Sequence, residues 1–488
     1  MTDEPIVTQL PLWAFPLRLP QSPEKPPDLH TLWQFPEHLP ECVTSSPTVM
    51  RCFELLAPLD WARFPERNLH RDWGQSQIPY AALAAAELIR LNETRLSTSS
   101  LQCFLIEHPG FIYLLGFPLA PAPETSLGFN PLASLPTRQH WNKMLRRMPQ
   151  AAVQFLLAGS IRLILAELRA RQVPDVNCVS LDTKHILAWV KENNPKAYVP
   201  DRFNKDKQPR GDPDCRLGCK RRHNRVSPSA TPTRNPKSAS TLKVGEYYWG
   251  YATGLVVAKV PEHGEFVIAE MTQPFDQSDV TYFFPLMQQT EERLGYRPRY
   301  ATFDAAFDAW YVYAHFYREN DPLAGFAAVP FSEKGGYTAK QRQFAPNGLP
   351  LCAAGFAMPV QFTYTDRTTC LVEHERGKYI CPLPRGRTGR VACPIHHANA
   401  RRGGCTAMMP TSIGARLRYT LDRDSEDYKA IYRQRTAVER INSQAWALGI
   451  ERPHLRNGQA IANQNTLIYV LINLRFLHRL RQGLHEDE

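Results

Sequence analysis

Tyr432, Arg435 and Glu439 stand at offsets of three and four in the segment IYRQRTAVERINSQ. On a helix those offsets put the three side chains on one stripe, and Asn442 extends the stripe by a turn. Ile431, Val438 and Ile441 fall on a neighbouring apolar stripe, so the segment reads as a half-buried helix presenting a carboxylate beside basic and aromatic groups. Two aspartates lie far upstream, Asp182 closing VNCVSLD and Asp304 closing RYATFD, each at the expected end of a short strand. Three carboxylates brought together from such positions suit Mg²⁺ (or Mn²⁺), which prefers hard oxygen ligands and keeps several waters. Two such ions neutralise phosphoryl oxygens and position both the attacking and the leaving oxygen of a phosphodiester. Each residue also has an ordinary reading. Asp182 can cap a turn, Asp304 can cap a helix starting at Ala305, and Glu439 can pair with Arg435 for a few tenths of a kcal/mol. Asp175 and Asp308 are the nearest competitors.

The elements that must position these acids can be read in order. Residues 1–48 are proline-rich, with Trp13, Phe15, Trp33 and Phe35 and no period, and are expected to form an extended, partly disordered arm. Residues 49–170 read as a helical domain, from YAALAAAELIRL, the N-cap cluster opening STSSLQCFLIEHP, and the stretch from Thr137 to Leu168. Its basic surface fits a DNA-reading helix-turn-helix as well as plain helical packing. From Val173 the texture becomes α/β. A strand ends at Asp182, and 247–260 and 265–271 form a hairpin around PEHG. A helix over 278–295 is kinked or restarted at Pro285, a strand runs over 299–304, a helix over 305–320 and a strand over 326–331. Residues 171–331 with 425–450 are thus expected to form the catalytic core, 332–424 an inserted β-rich subdomain carrying Cys and Arg, and 451–488 a C-terminal helical region.

The chain has 488 residues, 43% of them hydrophobic, with 58 Lys+Arg against 47 Asp+Glu and a net charge of +11. That balance favours a polyanionic partner. Most of the excess sits in 202–243, where twelve Lys/Arg face three Asp, and whose second half is low in apolar residues. This basic loop leaves the strand carrying Asp182, so it is expected to contact phosphates near any site built there, with Lys220, Arg221 and Arg222 as candidates. The first residues, MTDEPIVTQL, lack a basic start and an apolar run, and LIYVLI at 467–472 is far short of a membrane span. A reduced cytoplasmic protein with no membrane partner is the expectation.

These residues resemble the DDE transposases of bacterial insertion sequences, in the subgroup with a Tyr-x2-Arg-x3-Glu-x6-Lys signature. LDTKH matches the first acidic motif with Asp182, ATFDAAFDAW the second with Asp304, and YRQRTAVER the third with Tyr432, Arg435 and Glu439. DPDCRLGCKRRHN and PTRQHWNKMLRRMPQAAVQFLLAG also look like stretches of such enzymes, so the similarity covers roughly 135–480. The signature lysine is replaced by Trp446, leaving Arg440, Arg452, His454 or Arg456 to supply the charge, or Trp446 to stack on a base. The resemblance implies an α/β, ribonuclease H-like catalytic core with a β-rich insertion, preceded by a helical domain. It implies two ions held by Asp182, Asp304 and Glu439, with Asp182 bridging. Tyr432, Arg435 and Arg440 would contact double-stranded DNA, both transposon ends and target. The implied reaction is end cleavage that frees a 3′ hydroxyl, then transesterification into target DNA without ATP, by a homodimer assembled on DNA in the nucleoid of a prokaryote. A catalytically idle DNA-binding descendant and a metal-dependent nuclease without strand transfer are the alternatives.

Eleven cysteines are spread along the chain. Cys215, Cys219 and His223 have loose spacing and read as unliganded surface thiols. The run Cys370, Cys381, Cys393, His396, His397 and Cys405 includes CPIHH, and Cys381, Cys393, His396 and Cys405 are candidate ligands for a structural Zn²⁺. Such an ion would brace the insertion, since thiolates do not suit Mg²⁺.

Overall fold

A computed structural model describes residues 29–69, 78–95, 97–220, 246–318, 325–332, 342–367, 371–384, 390–395 and 397–483. The fold is mixed α/β, with helices packed on a curled mixed sheet. The sheet strands are β1 (Cys178–Leu187), β2 (Arg216–Lys220), β3 (Glu246–Val260), β4 (Gly264–Pro274), β5 (Tyr300–Thr302) and β6 (Ala327–Ala328). β3 pairs antiparallel with β1, β2 and β4, while β5 runs parallel to β1 and β6 parallel to β5. The run β4-β3-β1-β5-β6 is therefore three antiparallel strands continued by two parallel ones.

The expected hairpin is present, with β3 and β4 meeting around PEHG. Its continuous apolar runs suit strands buried on both faces. β1, however, does not end at Asp182. It continues five residues to Leu187, paired throughout with β3. Cys178–Leu181 are buried and Asp182–His185 only half-buried. Asp182 thus sits where a central strand leaves the core yet remains hydrogen-bonded. β2 was also not expected. It is an ordered strand inside the basic loop, and Gly218 on it lies against the Phe275 ring, where an added Cβ would fall 2.1 Å from a ring carbon. The segment expected over 278–295 does restart: a 3₁₀ turn, Asp279–Tyr282, gives way to helix Phe283–Leu294, whose first turn holds Pro285, where its missing N–H has no intrahelical role. The helix expected over 305–320 is a 3₁₀ turn, Ala305–Phe307, followed by a shorter helix, Trp310–Phe316.

The C-terminal helix Gly458–Gln482 is central, and packs against β4 and helices Gln150–Ala170, Arg138–Arg147 and Tyr80–Asn92. Its polar side chains satisfy backbone groups that the core would otherwise strand. Asn473 accepts from the Val267 N–H at 2.8 Å and donates to the Val267 carbonyl at 2.9 Å, covering the outer edge of β4. Asn463 donates to the carbonyls of Leu145 and Met148, both at 2.8 Å, which end helix Arg138–Arg147. Helix Gln150–Ala170 is long and apolar enough to cross a membrane, and more than half of its most apolar stretch is buried in this core.

The N-terminal expectation needs correction over 29–48. Short helices Leu29–Gln34 and Glu41–Thr44 lie there, and Trp33 packs on Phe53 and Trp61 with ring centroids 5.5 and 5.4 Å away. The indole N–H of Trp33 donates to the Leu114 carbonyl at 2.8 Å, so the segment belongs to the helical layer. Trp13 and Phe15 lie outside the described residues. One hydrophobic core runs from Leu29 to Leu480 through helices and sheet alike. The insertion has a small core of its own around Cys352, Met358, Tyr379, Cys405 and Met409. Its strands β7 (Val360–Asp366), β8 (His374–Ile380) and β9 (Thr406–Pro410) form an antiparallel sheet.

Candidate active site

The parallel register of β1 and β5 does most to build the site. Ser180 is the partner of Thr302, and the Thr302 hydroxyl donates to Ser180 Oγ at 2.9 Å. Two residues further along each chain come Asp182, still within β1, and Asp304, just past the end of β5 where it caps the turn Ala305–Phe307. Their proximity is felt electrostatically, because the Asp304 charge contributes to raising the Asp182 carboxyl. The Ser180 hydroxyl also donates to the Gln434 carbonyl at 3.1 Å, tying the strand pair to the segment that leads into helix Thr436–Ala447.

Glu439 stands in the first turn of that helix, with its side chain 52% exposed. Val438, Ile441 and Ala445 are fully buried, and this apolar stripe seats the helix on β1, β3 and β4. Arg435 joins the acids: its guanidinium lies 3.7 Å from Asp182 Oδ2 and also pairs with Glu439. The expected Arg435–Glu439 pair is therefore present, but the same arginine also reaches the strand aspartate. Tyr432 stacks on Tyr428 at 5.8 Å, and Tyr428 on Phe326 at 6.3 Å. Burial raises the Tyr432 hydroxyl above its usual range, with Arg435 opposing and Asp304 adding to the rise.

Asp182 carries the most informative electrostatics. Burial pushes its carboxyl from 3.8 up to about 6, against the pull of the Thr183 N–H, which donates to Oδ1 at 2.9 Å. The charges of Asp304 and Asp279 add to the rise and Arg435 opposes it. Such a site is short of positive charge. Asp279, which the sequence reading missed, accepts from the Thr183 hydroxyl at 3.1 Å. Only its place one residue after Ser278, in a segment read as helix, marked it. Asp304 also caps as expected, accepting from the Ala306 N–H at 2.8 Å.

The competitors separate cleanly. Asp175 is exposed in the approach to β1. Asp308 is fully buried and satisfied: Arg418 donates at 2.7 and 2.5 Å, the Tyr313 hydroxyl at 2.8 Å and the Ser332 N–H at 2.8 Å. It locks helix Ile413–Thr420 of the insertion onto helix Trp310–Phe316. Gly414 allows this contact, since a Cβ there would lie 2.1 Å from the Trp310 carbonyl oxygen.

The expected DNA contacts divide. Arg440 pairs with Glu265, a buried residue of β4, so its guanidinium already holds the helix to the sheet. Lys220 ends β2, while Arg221 and Arg222 lie outside the described residues. The first half of the basic loop has structural duties. Asp212 accepts from the Tyr251 hydroxyl at 2.7 Å, and Asp214 accepts from Asn457 at 2.6 Å and from the Gly458 N–H at 2.9 Å, at the start of the central helix. Cys215 is fully buried, which corrects its reading as a surface thiol, and His223 lies outside the described residues. Trp446 lies two helical turns beyond Glu439 on the same face and is 62% exposed. Helix Arg138–Arg147 adds an exposed basic face of Arg138, Lys143, Arg146 and Arg147.

Among the described residues, no three His, Cys, Asp or Glu side chains are already gathered into a metal cage. At the acidic trio Arg435 pairs with two of the three. The donor set still fits hard divalent cations: it is all carboxylate oxygen, with the Asp182 carboxyl raised by burial and by the charges of Asp304 and Asp279. No protein-family model matches the chain, and no curated protein matches it.

Proposed function

We propose that this chain is a DDE-type DNA transposase that binds the terminal inverted repeats of its own insertion sequence and carries out metal-dependent DNA cleavage and strand transfer. The observation that carries the reading is the Ser180–Thr302 register, which sets Asp182 beside Asp304 while Arg435 links Asp182 to Glu439. The strand order, three antiparallel then two parallel, supports a ribonuclease H-like core. The net charge of +11 supports a nucleic-acid partner.

In this reading Asp182, Asp304 and Glu439 would hold two Mg²⁺ or Mn²⁺ ions. When bound, the ions neutralise the phosphoryl oxygens and favour in-line displacement at phosphorus. The chain's own residues do the rest. Arg435 gives up its carboxylates and becomes free for a phosphate, to which its planar fork is matched. Tyr432 is held rigid by its stack on Tyr428 and lines the approach to Asp304. Trp446, exposed on the Glu439 face, offers a ring to an unstacked base where the family signature has lysine. The basic face of helix Arg138–Arg147 and the loop 202–243 track the duplex backbone. A homodimer assembled on DNA in the prokaryotic nucleoid would hold two ends.

A second reading, a DNA-binding protein without catalysis, draws on the Arg435 bridge, which occupies the carboxylates. Incubation with the DNA flanking its own coding region and Mn²⁺ separates these. Cutting and joining support the transposase, cutting alone a nuclease, and tight binding without cutting the idle reading. Asp182→Asn, Asp304→Asn and Glu439→Gln should each abolish cutting while binding persists, and cutting retained in one variant removes that residue from the site.

A further inference from the structure

The insertion carries a second chemistry, independent of the acidic trio. His397 lies between two thiols, with Nε2 3.4 Å from Cys393 Sγ and 4.0 Å from Cys405 Sγ. With Zn–S near 2.3 Å and Zn–N near 2.0–2.1 Å, a tetrahedral site needs sulphur and nitrogen roughly 3.5 Å apart. Both observed separations are close to that edge. Cys381 adjoins this pair along the backbone, since its N–H donates to the Cys405 carbonyl at 2.9 Å and its Sγ lies 3.8 Å from where a Cβ on Gly404 would stand, although no three such side chains already converge among the described residues. Gly404 has φ +98°, so the chain reverses there without a side chain and brings Cys405 back beside Cys381.

We propose that Cys381, Cys393, His397 and Cys405 bind one structural Zn²⁺. Cys381 follows β8 and Cys405 precedes β9, while Cys393 and His397 come from the crossover between them. The ion therefore closes the crossover onto the open end of the sheet. The crossover holds little apolar surface of its own: of its buried residues, only Val391 and Cys405 lie between 382 and 405 among the described residues. A metal supplies what that core lacks. Three thiolates and one imidazole favour zinc over Mg²⁺ or Ca²⁺. His397 faces the sulphurs of Cys393 and Cys405, and His396 lies outside the described residues. Cys352 lies in the same small core as Cys405, and the thiols that His397 contacts are Cys393 and Cys405.

The test is elemental analysis of the purified full chain, with zinc-edge X-ray absorption on the same sample. One zinc per chain with a mixed sulphur and nitrogen shell is expected. Cys405→Ser and His397→Ala should each lower zinc content at least tenfold, and Cys352→Ser should leave it unchanged. Where Cys405→Ser is insoluble, the absorption spectrum of the wild type decides alone. A folded wild type without zinc, a shell of oxygen and nitrogen only, a disulfide among these cysteines, or full zinc in the His397→Ala variant would each overturn the proposal. Since no Mg²⁺ or DNA enters the experiment, its failure leaves the acidic trio unaffected.

Discussion

Replacing Asp182 with Asn should make the metal-free protein more stable at neutral pH while removing its proposed activity. The folded carboxyl is raised from 3.8 to about 6, so the folded chain holds that proton more tightly than the unfolded chain. Ionised Asp182 therefore costs nothing below pH about 3.8, a growing amount up to about 6, and its full cost above that. Two units at about 1.36 kcal/mol each set an upper bound of about 3 kcal/mol. The side chain is 21% exposed and Arg435 loses one partner in the variant, so about 1–2 kcal/mol is the expected gain. Asn retains an oxygen for the Thr183 N–H, which limits other losses. The assay is urea unfolding in EDTA from pH 4 to 8, repeated with Mg²⁺. The variant should match the wild type at pH 4 and exceed it at pH 8, and Mg²⁺ should stabilise only the wild type. A variant less stable than the wild type at pH 8 in EDTA, or one whose offset ignores pH, would refute the electrostatic reasoning.

Other perturbations follow from the same geometry. Glu270 is fully buried among Gln150, Gln154, Thr466 and Thr253, and burial pushes its carboxyl up to about 7. The wild type should lose on the order of 2–3 kcal/mol as pH rises from about 4.5 to 7, and Glu270→Gln should remove that slope in urea titrations. Asp308→Asn leaves Arg418 without its buried anion, so chemical unfolding should show a loss of about 3–5 kcal/mol and the insertion should become protease-sensitive first. Trp446→Ala should change stability by less than about 0.5 kcal/mol. It should weaken binding of DNA with an unpaired end by about 1–3 kcal/mol in fluorescence anisotropy, with duplex interiors unaffected.

Much of the sheet was legible because its apolar runs are long and closed by turn residues, as in the hairpin around PEHG. The extension of β1 was not, since Thr183–His185 are polar and half-exposed, and only pairing with β3 makes them strand. β2 hid inside a basic, glycine-containing stretch whose strand character comes from Tyr247–Trp249 opposite. The all-round burial of the central helix was not legible, because Asn463, Asn465, Thr466 and Asn473 are polar. Their work is to satisfy buried groups, which no period reveals. At the candidate site, types and spacing named Asp182, Asp304 and Glu439 as candidates and foresaw the Arg435–Glu439 pair, which the structure shows. They could not give Asp279, which reaches Asp182 only through Thr183, nor the Arg440–Glu265 pair, whose partners are 175 residues apart.

The central claim is that Asp182, Asp304 and Glu439 share a pair of divalent ions. Manganese anomalous diffraction from crystals soaked in Mn²⁺ tests it most directly. Two peaks roughly 3.5–4 Å apart, with Asp182 between them and Arg435 swung away, are expected. Arg435 still clasping Asp182 and Glu439 at saturating Mn²⁺, with no peak beside either strand aspartate, would contradict it.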